Sequence, residues 1–284
     1  MYVTVNDTRL FFDVEGAKLV PDGPTMREKP TLVLLHGGPG ADHSMYKPAF
    51  SAFADVAQVV YLDLRGQGRS APSDLERLTL ATWADDVRAF CDTLAIERPV
   101  VLGESAGGWV AMAYATRHPH HPGKLILAST SARLSPDRVL AAFERLGGKE
   151  AREAARTYLE DPSPKTHQDY GRLCMPLYLR FQDDPDRFRR ILFNMELCHY
   201  FSRYEHKTMD FLPDLARVAC PTLVLAGEED PVTPFEDAKD IVSALPAHLV
   251  RLERLADARR HGISDAPEQT LQIVREFILD DEGG

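Results

Sequence analysis

Short apolar runs, uninterrupted by polar residues, recur along the chain and are separated by stretches of helical period. Residues 31–35 (TLVLL), 58–62 (QVVYL), 99–102 (PVVL), 124–128 (KLILA) and 221–226 (PTLVLA) have this form. A strand covered on both faces needs such a run, so these segments predict a parallel sheet. Residues 248–252 predict a last strand. Residues 83–94, 107–117 and 268–279 instead show helical spacing, and Asp85 and Asp86 fall in the first turn of the earliest of these, where the helix dipole favours acids. At the start of the chain, residues 3–5 and 10–14 predict a hairpin, and the Pro-, Gly- and charge-rich residues 17–29 predict a loop. Strands alternating with helices imply an α/β fold, a doubly wound, mostly parallel sheet.

One segment breaks the rhythm. From Ser131 to about Pro213 no buried strand is evident. Residues 134–146, 150–159, 173–181 and 187–204 predict helices, punctuated by Pro162, Pro164 and Pro185. The expected organisation is a core of residues 1–130 and 213–284, with a helical cap of residues 131–212 inserted between two core strands. The length of 284 residues fits this plan.

Charge narrows the classes of partner. The formal net charge of −10 argues against nucleic acid or anionic membrane. The first residues alternate in polarity and lack a basic region followed by an apolar one, and no apolar run approaches the ~20 residues of a membrane span. A cytoplasmic protein is expected, with a small-molecule or short-peptide substrate as partner and the oligomeric state left open. Cys91, Cys174, Cys198 and Cys220 form no CxxC pair or metal-ligand spacing and read as reduced, structural thiols.

The chemistry concentrates where the strand at 99–102 runs into Gly103-Glu104-Ser105-Ala106-Gly107 and a helix follows. This is G-x-S-x-G in its strand–turn–helix context. So tight a turn excludes side chains at Gly103 and Gly107, projects the Ser105 hydroxyl, and aims the positive end of a helix at the charge that develops there. A nucleophilic serine needs two backbone N–H groups for the oxyanion. Ala106 supplies one, and Gly38 of the loop His36-Gly-Gly-Pro-Gly40 supplies the other. His36, at a strand end, reads as a structural residue holding that loop. The acid and base follow downstream in that order. Asp230 is the expected acid, in the loop after the strand at 221–226, with Glu228 and Glu229 as competitors. His261, in a loop before the last helix, is the expected base, since His248 is bound into a strand. Its neighbours Arg259 and Arg260 are expected to face solvent. His118, His120 and His121 read as a solvated turn.

At this point the chain resembles the α/β-hydrolase superfamily over its whole length. His36–Gly40, Asp63-Leu-Arg-Gly-Gln-Gly-Arg-Ser70, Gly103–Gly108, Gly227–Asp230 and the tail from His261 to Glu268 carry the resemblance. The Gly-Gly-Pro-Gly loop together with residues 63–70, which we read as scaffold, is similar to the prolyl iminopeptidase group. That resemblance implies acidic cap residues gripping a free amino group; Glu196, Glu205 and Glu144 are the cap acids that could do so, and they read equally as ordinary charges on helix surfaces. Many of that group carry Gly-Gly-Ser-Trp-Gly at the elbow. This chain's Gly-Glu-Ser-Ala-Gly is a pattern shared with esterases and lactonases, and its serine differs from the aspartate of epoxide hydrolases and haloalkane dehalogenases.

The expected activity is therefore hydrolysis of an ester, lactone or amide through an acyl-enzyme on Ser105, with no metal or organic cofactor. Gly37, Glu104, Trp109, Glu196 and Tyr200 are the expected substrate contacts. Phe181, Phe193, Met195, Phe201 and Tyr204 offer further apolar lining or simple cap packing. The alternatives are a carboxylesterase or lactonase without peptidase action, a ligand-binding protein on a hydrolase scaffold, and a serine-dependent carbon–carbon hydrolase or perhydrolase.

Overall fold

The apolar runs become strands because each puts alternate side chains into two separate cores. The computed structural model describes residues 1–180, 184 and 186–280. Its strands are β1 (Tyr2–Val5), β2 (Thr8–Glu15), β3 (Leu19–Asp22), β4 (Thr25–Glu28), β5 (Thr31–Leu35), β6 (Gln58–Leu62), β7 (Val100–Glu104), β8 (Lys124–Ala128), β9 (Thr222–Gly227) and β10 (Val250–Leu255). Its helices are α1 (Leu80–Thr93), α2 (Ala106–Arg117), α3 (Pro136–Glu160), α4 (Pro164–Leu173), α5 (Arg187–Arg190), α6 (Met195–Arg203), α7 (Glu205–Thr208), α8 (Phe235–Ala244), α9 (Gly262–Asp265) and α10 (Pro267–Leu279).

The main sheet has eight strands in the order β1-β2-β6-β5-β7-β8-β9-β10. β1, β2 and β6 pair antiparallel; the pairs from β6 through β10 are parallel. In β5, Val33 and Leu35 pack with Trp83 and Phe90 of α1 and with α2, whereas Leu32 and Leu34 pack with Phe50, Phe53 and Phe277 of α10. This is the two-residue period of a strand covered on both sides. α8 joins the first layer through Ala238 and Ile241.

Helices α3 to α7 all fall between β8 and β9. Val139, Phe143, Ala155 and Tyr170 give α3 and α4 a small core of their own. The segment differs from expectation in detail. The two helices expected over 134–159 are both present as the halves of α3, separated where Gly148 leaves helical geometry at φ 74°. α4 ends where a helix was expected to begin, and a 3-10 turn, Met175–Tyr178, follows it. The stretch 187–204 is broken because Asn194 caps α6, its side chain accepting from the Leu197 N–H at 3.0 Å. Phe181 and Pro185 lie outside the described residues. Residues 17–29 are not a simple loop, since they contain the β3–β4 hairpin. α8 was not anticipated; it buries Ala238 and Ile241 beside Asp237, with Phe235 and Val242 packed against the same core. All four cysteines are buried and free.

Candidate active site

β7 ends at Glu104 and α2 begins at Ala106, leaving Ser105 between them at φ 58°, ψ −121°. A non-glycine residue reaches that region only where its surroundings hold it there. The Ser105 N–H donates to the Ala128 carbonyl at 3.0 Å, and the Thr130 hydroxyl donates to the Ser105 carbonyl at 2.8 Å. A Cβ at Gly107 would collide with the Leu35 carbonyl, and one at Gly103 with the Gly107 carbonyl. Ser105 is 5 % exposed. It lies at a cavity of about 180 Å³ whose walls include Gly37, Gly38, Met45, Trp109, Tyr158 and Tyr178.

The loop after β5 is built to stay in place. The Leu64 N–H donates to His36 Nε2 at 3.2 Å, so the proton sits on Nδ1, which faces the Gly37 carbonyl at 2.9 Å. Gly37 N–H meets Met45 Sδ at 3.1 Å, and Gly40 N–H donates to Gln67 at 2.6 Å. Gly38, at φ 123°, supplies the turn. Behind the loop, Asp63 accepts from the His43 N–H (2.9 Å) and ring (2.7 Å) and from the Arg69 N–H (2.8 Å), while Arg65 pairs with Asp86. Residues 63–70 line no part of the cavity. Asp42, His43 and Asp63 cluster closely enough to hold a cation, but Arg69 already sits on Asp42 at 2.6 Å.

Asp230 follows β9 and is 1 % exposed. Its carboxylate accepts from the N–H groups of Val232 (2.8 Å) and Thr233 (3.0 Å) and from the Thr233 hydroxyl (2.8 Å). The expected Ser105–His261–Asp230 hydrogen-bond chain is absent from this geometry. Arg260 occupies the interval instead. Its Nη1 donates to Asp230 at 3.3 and 3.4 Å, and its Nη2 donates to Ser105 Oγ at 2.5 Å. The expectation that Arg260 faces solvent is overturned, since it is 5 % exposed. His261 turns the other way, and its Nδ1 hydrogen-bonds Glu104 Oε1. Its Nε2 makes no hydrogen bond among the described residues, and His261 still lines the cavity.

The cause is the register of one loop. Arg260 N–H donates to the Tyr178 carbonyl at 3.1 Å, and Asp265 accepts from the N–H groups of Arg180 and Arg259. α9 starts directly after His261, which accepts from the Ser264 and Asp265 N–H groups. Pinned on both sides, the chain sends the consecutive side chains 260 and 261 in different directions. Choosing the histidine by residue type left that register undecided.

Electrostatics follow the pairing. Burial pushes the Glu104 carboxyl up, but His261, Arg187 and Arg260 outweigh it and hold it below the usual carboxylate range. Burial opposes the charge of Arg260 too, yet Asp230, Tyr178, Tyr170 and Glu104 more than offset this and raise its pKa. Sequence reasoning passed over His206, which stacks on Trp109 at 4.5 Å and also lines the cavity. Burial, aided by the Arg260 charge, lowers its pKa to about 4.

The other expected contacts divide. Gly37, Gly38, Trp109 and Phe193 line the cavity. Glu104 does not line it, because its carboxylate is turned to His261. Glu196 and Tyr200 line a separate groove with Met195 and Tyr204. Glu205 accepts from the Leu80 N–H at 3.1 Å and Glu144 pairs with Arg152 at 3.3 Å, so neither acid reaches the cavity. Phe201 is buried against Trp83 and Trp109. The histidine turn is less solvated than expected: His118 bonds Asp85 at 2.9 Å and His121 bonds the Tyr114 hydroxyl.

Fold and elbow together define a hydrolase scaffold, and the family model for the alpha/beta hydrolase fold matches residues 30–267. The chain belongs to the α/β-hydrolase family, in its prolyl iminopeptidase and esterase branch. It is 28% identical to a putative carbamate hydrolase, RutD, of Caulobacter sp. (strain K31), over 87% of this chain and 90% of that one. It is 30% identical to a proline iminopeptidase of Lactiplantibacillus plantarum, over 79% and 84%. Among solved structures, an esterase from Exiguobacterium antarcticum superposes with a TM-score of 0.75 at 19% identity, over 98% of this chain and 99% of that one. No helix among the described residues is long and apolar enough to cross a membrane.

Proposed function

We propose that the protein cleaves a carboxylic ester, lactone or amide of a small molecule or short peptide through an acyl-enzyme on Ser105. The observation that carries this is the state of Ser105: a buried serine held at positive φ, at the N-terminus of α2, facing an apolar cavity with a guanidinium on its Oγ. Arg260 stabilises the oxygen as its proton leaves. The Glu104–His261 pair takes that proton through a water in the cavity that His261 also lines. Ser105 Oγ bonds to the acyl carbon, and the oxyanion is received by the N–H groups of Gly38 and Ala106, each donor worth roughly 3 kcal/mol of barrier. Collapse breaks the bond to the leaving group, which departs with the proton from His261. Water then releases the acid by the reverse path. Asp230 serves as counter-ion to Arg260 in this scheme, and no cofactor takes part.

The test compares wild type with Ser105→Ala on p-nitrophenyl butyrate and proline p-nitroanilide, alongside fluorophosphonate labelling. Serine-dependent turnover and labelling are expected, with the ester ahead of the amide. Equal turnover by both proteins would refute the assignment. One observation favours a second reading, a ligand-binding protein on a hydrolase scaffold: the group between Ser105 and Asp230 is a guanidinium, which cannot accept a proton. An unlabelled, inert Ser105 in a folded protein would select that reading.

A further inference from the structure

We infer that the cavity above Ser105 binds an apolar monocarboxylate whose head group Arg260 holds. The inference builds on the proposed hydrolase site in placing the carboxylate beside Ser105, but the binding itself needs no turnover.

The walls supply the apolar half. Met45, Trp109, Val139, Leu159, Ile191 and Val232 all face the cavity. Arg260 supplies the other half. Its Nη1 is shared between Asp230 and the Thr233 hydroxyl at 3.3–3.4 Å, long for contacts between charged groups, and Nη2 reaches only Ser105. Nε makes no hydrogen bond among the described residues. Asp230 meanwhile spends both oxygens on its own loop. A buried guanidinium on the cavity wall thus keeps N–H donors beyond those its neighbours engage, and the low dielectric there magnifies its attraction for an anion. Its planar fork matches a carboxylate.

Among the described residues a cation finds no such partner in the cavity. Asp237 is the carboxylate on the cavity wall, and Arg138 holds it at 2.6 Å. Glu144, Glu196 and Glu205, the acids suited to grip an amino group, lie elsewhere. An ammonium-bearing ligand would approach Arg260 without compensation.

The test is calorimetric titration of wild type and Ser105→Ala with sodium octanoate, 1-octanol and octylammonium chloride at pH 7.5, repeated on Arg260→Gln and Arg260→Lys. Octanoate should bind wild type and Ser105→Ala at least tenfold more tightly than 1-octanol, with octylammonium weakest. Arg260→Gln should abolish the preference for octanoate over octanol, and Arg260→Lys should retain part of it. Octanol or octylammonium matching octanoate on wild type would overturn the inference, as would a folded Arg260→Gln that keeps the preference. Should Arg260→Gln fail to fold, the wild-type ranking and Arg260→Lys still decide. An octanoate preference together with a Ser105 inert to fluorophosphonate would defeat the hydrolase proposal and leave this inference standing. Labelled Ser105 without the preference would do the reverse.

Discussion

At the scale of single residues the site turns on Arg260. A guanidinium donating to Ser105 Oγ favours the deprotonated oxygen but cannot itself take the proton. Arg260→Gln should therefore lower kcat on p-nitrophenyl butyrate by roughly 100-fold, the scale of losing one preorganised donor. Arg260→His sets an imidazole between Asp230 and Ser105. It should recover much of that loss and give a rate that rises with pH through the imidazole range, about 6.5. A histidine variant as slow as the glutamine variant, with a flat pH profile, would show that the Asp230 side of the site takes no part. The turn at Ser105 and its flanking glycines were legible in the sequence because each is demanded locally, by a tight turn and by a missing Cβ; Asp230 was singled out as the loop acid after β9, but its partner is Arg260 and not the expected His261. The choice between residues 260 and 261 was not legible. It depends on the Tyr178 carbonyl and on Asp265, which fix the loop from outside it.

At the scale of elements, the same division between local and distant causes holds. The buried strands declared themselves because a run covered on both faces has no polar positions, and α2 because Gly107 must lie against β5. Alanine at Gly107 gains about 1 kcal/mol in helix propensity. The collision of its Cβ with the Leu35 carbonyl costs about 3 kcal/mol or more, since backbone cannot step aside. Sterics win, so Gly107→Ala should lower the urea midpoint sharply or fail to fold, and an unchanged midpoint would refute the close approach. The helices between β8 and β9 were less legible, since their ends are fixed by contacts with the core. Arg187 of α5 is one such contact: its Nε donates to the Met45 carbonyl at 3.1 Å and its Nη1 bonds the Ser264 hydroxyl of α9. It ties α5 both to a cavity wall and to the helix that follows His261. Arg187→Ala should cost about 2 kcal/mol by urea unfolding, the scale of charged hydrogen bonds lost from a buried site. It should also raise KM more than it lowers kcat.

At the scale of the whole molecule, the cavity links stability to pH through His206. Its pKa in the folded protein is lowered to about 4, chiefly by burial and further by the Arg260 charge. The unfolded chain returns it to about 6.5. Between those values the unfolded state binds the proton first, so the contribution of neutral His206 is complete above pH 6.5 and fades as pH falls toward 4. The full difference corresponds to about 3 kcal/mol, reduced to about 1–2 by the partial exposure of the ring to the cavity. Glu104, whose carboxyl is also held low, loses its contribution at more acid pH, because its unfolded value already lies near the bottom of that window. Urea unfolding at pH 7 and pH 4.5 should therefore show a drop in stability that His206→Gln makes smaller, with the two proteins closest at pH 4.5. Arg260→Gln removes the neighbouring cation and should shrink the same acid limb and end it at a higher pH, because the folded-state pKa of His206 rises toward its unfolded value and less stability is at stake. If His206→Gln leaves the difference between pH 7 and pH 4.5 unchanged, the ring against Trp109 is not held neutral by the cavity, and the acid limb belongs to the carboxylates alone.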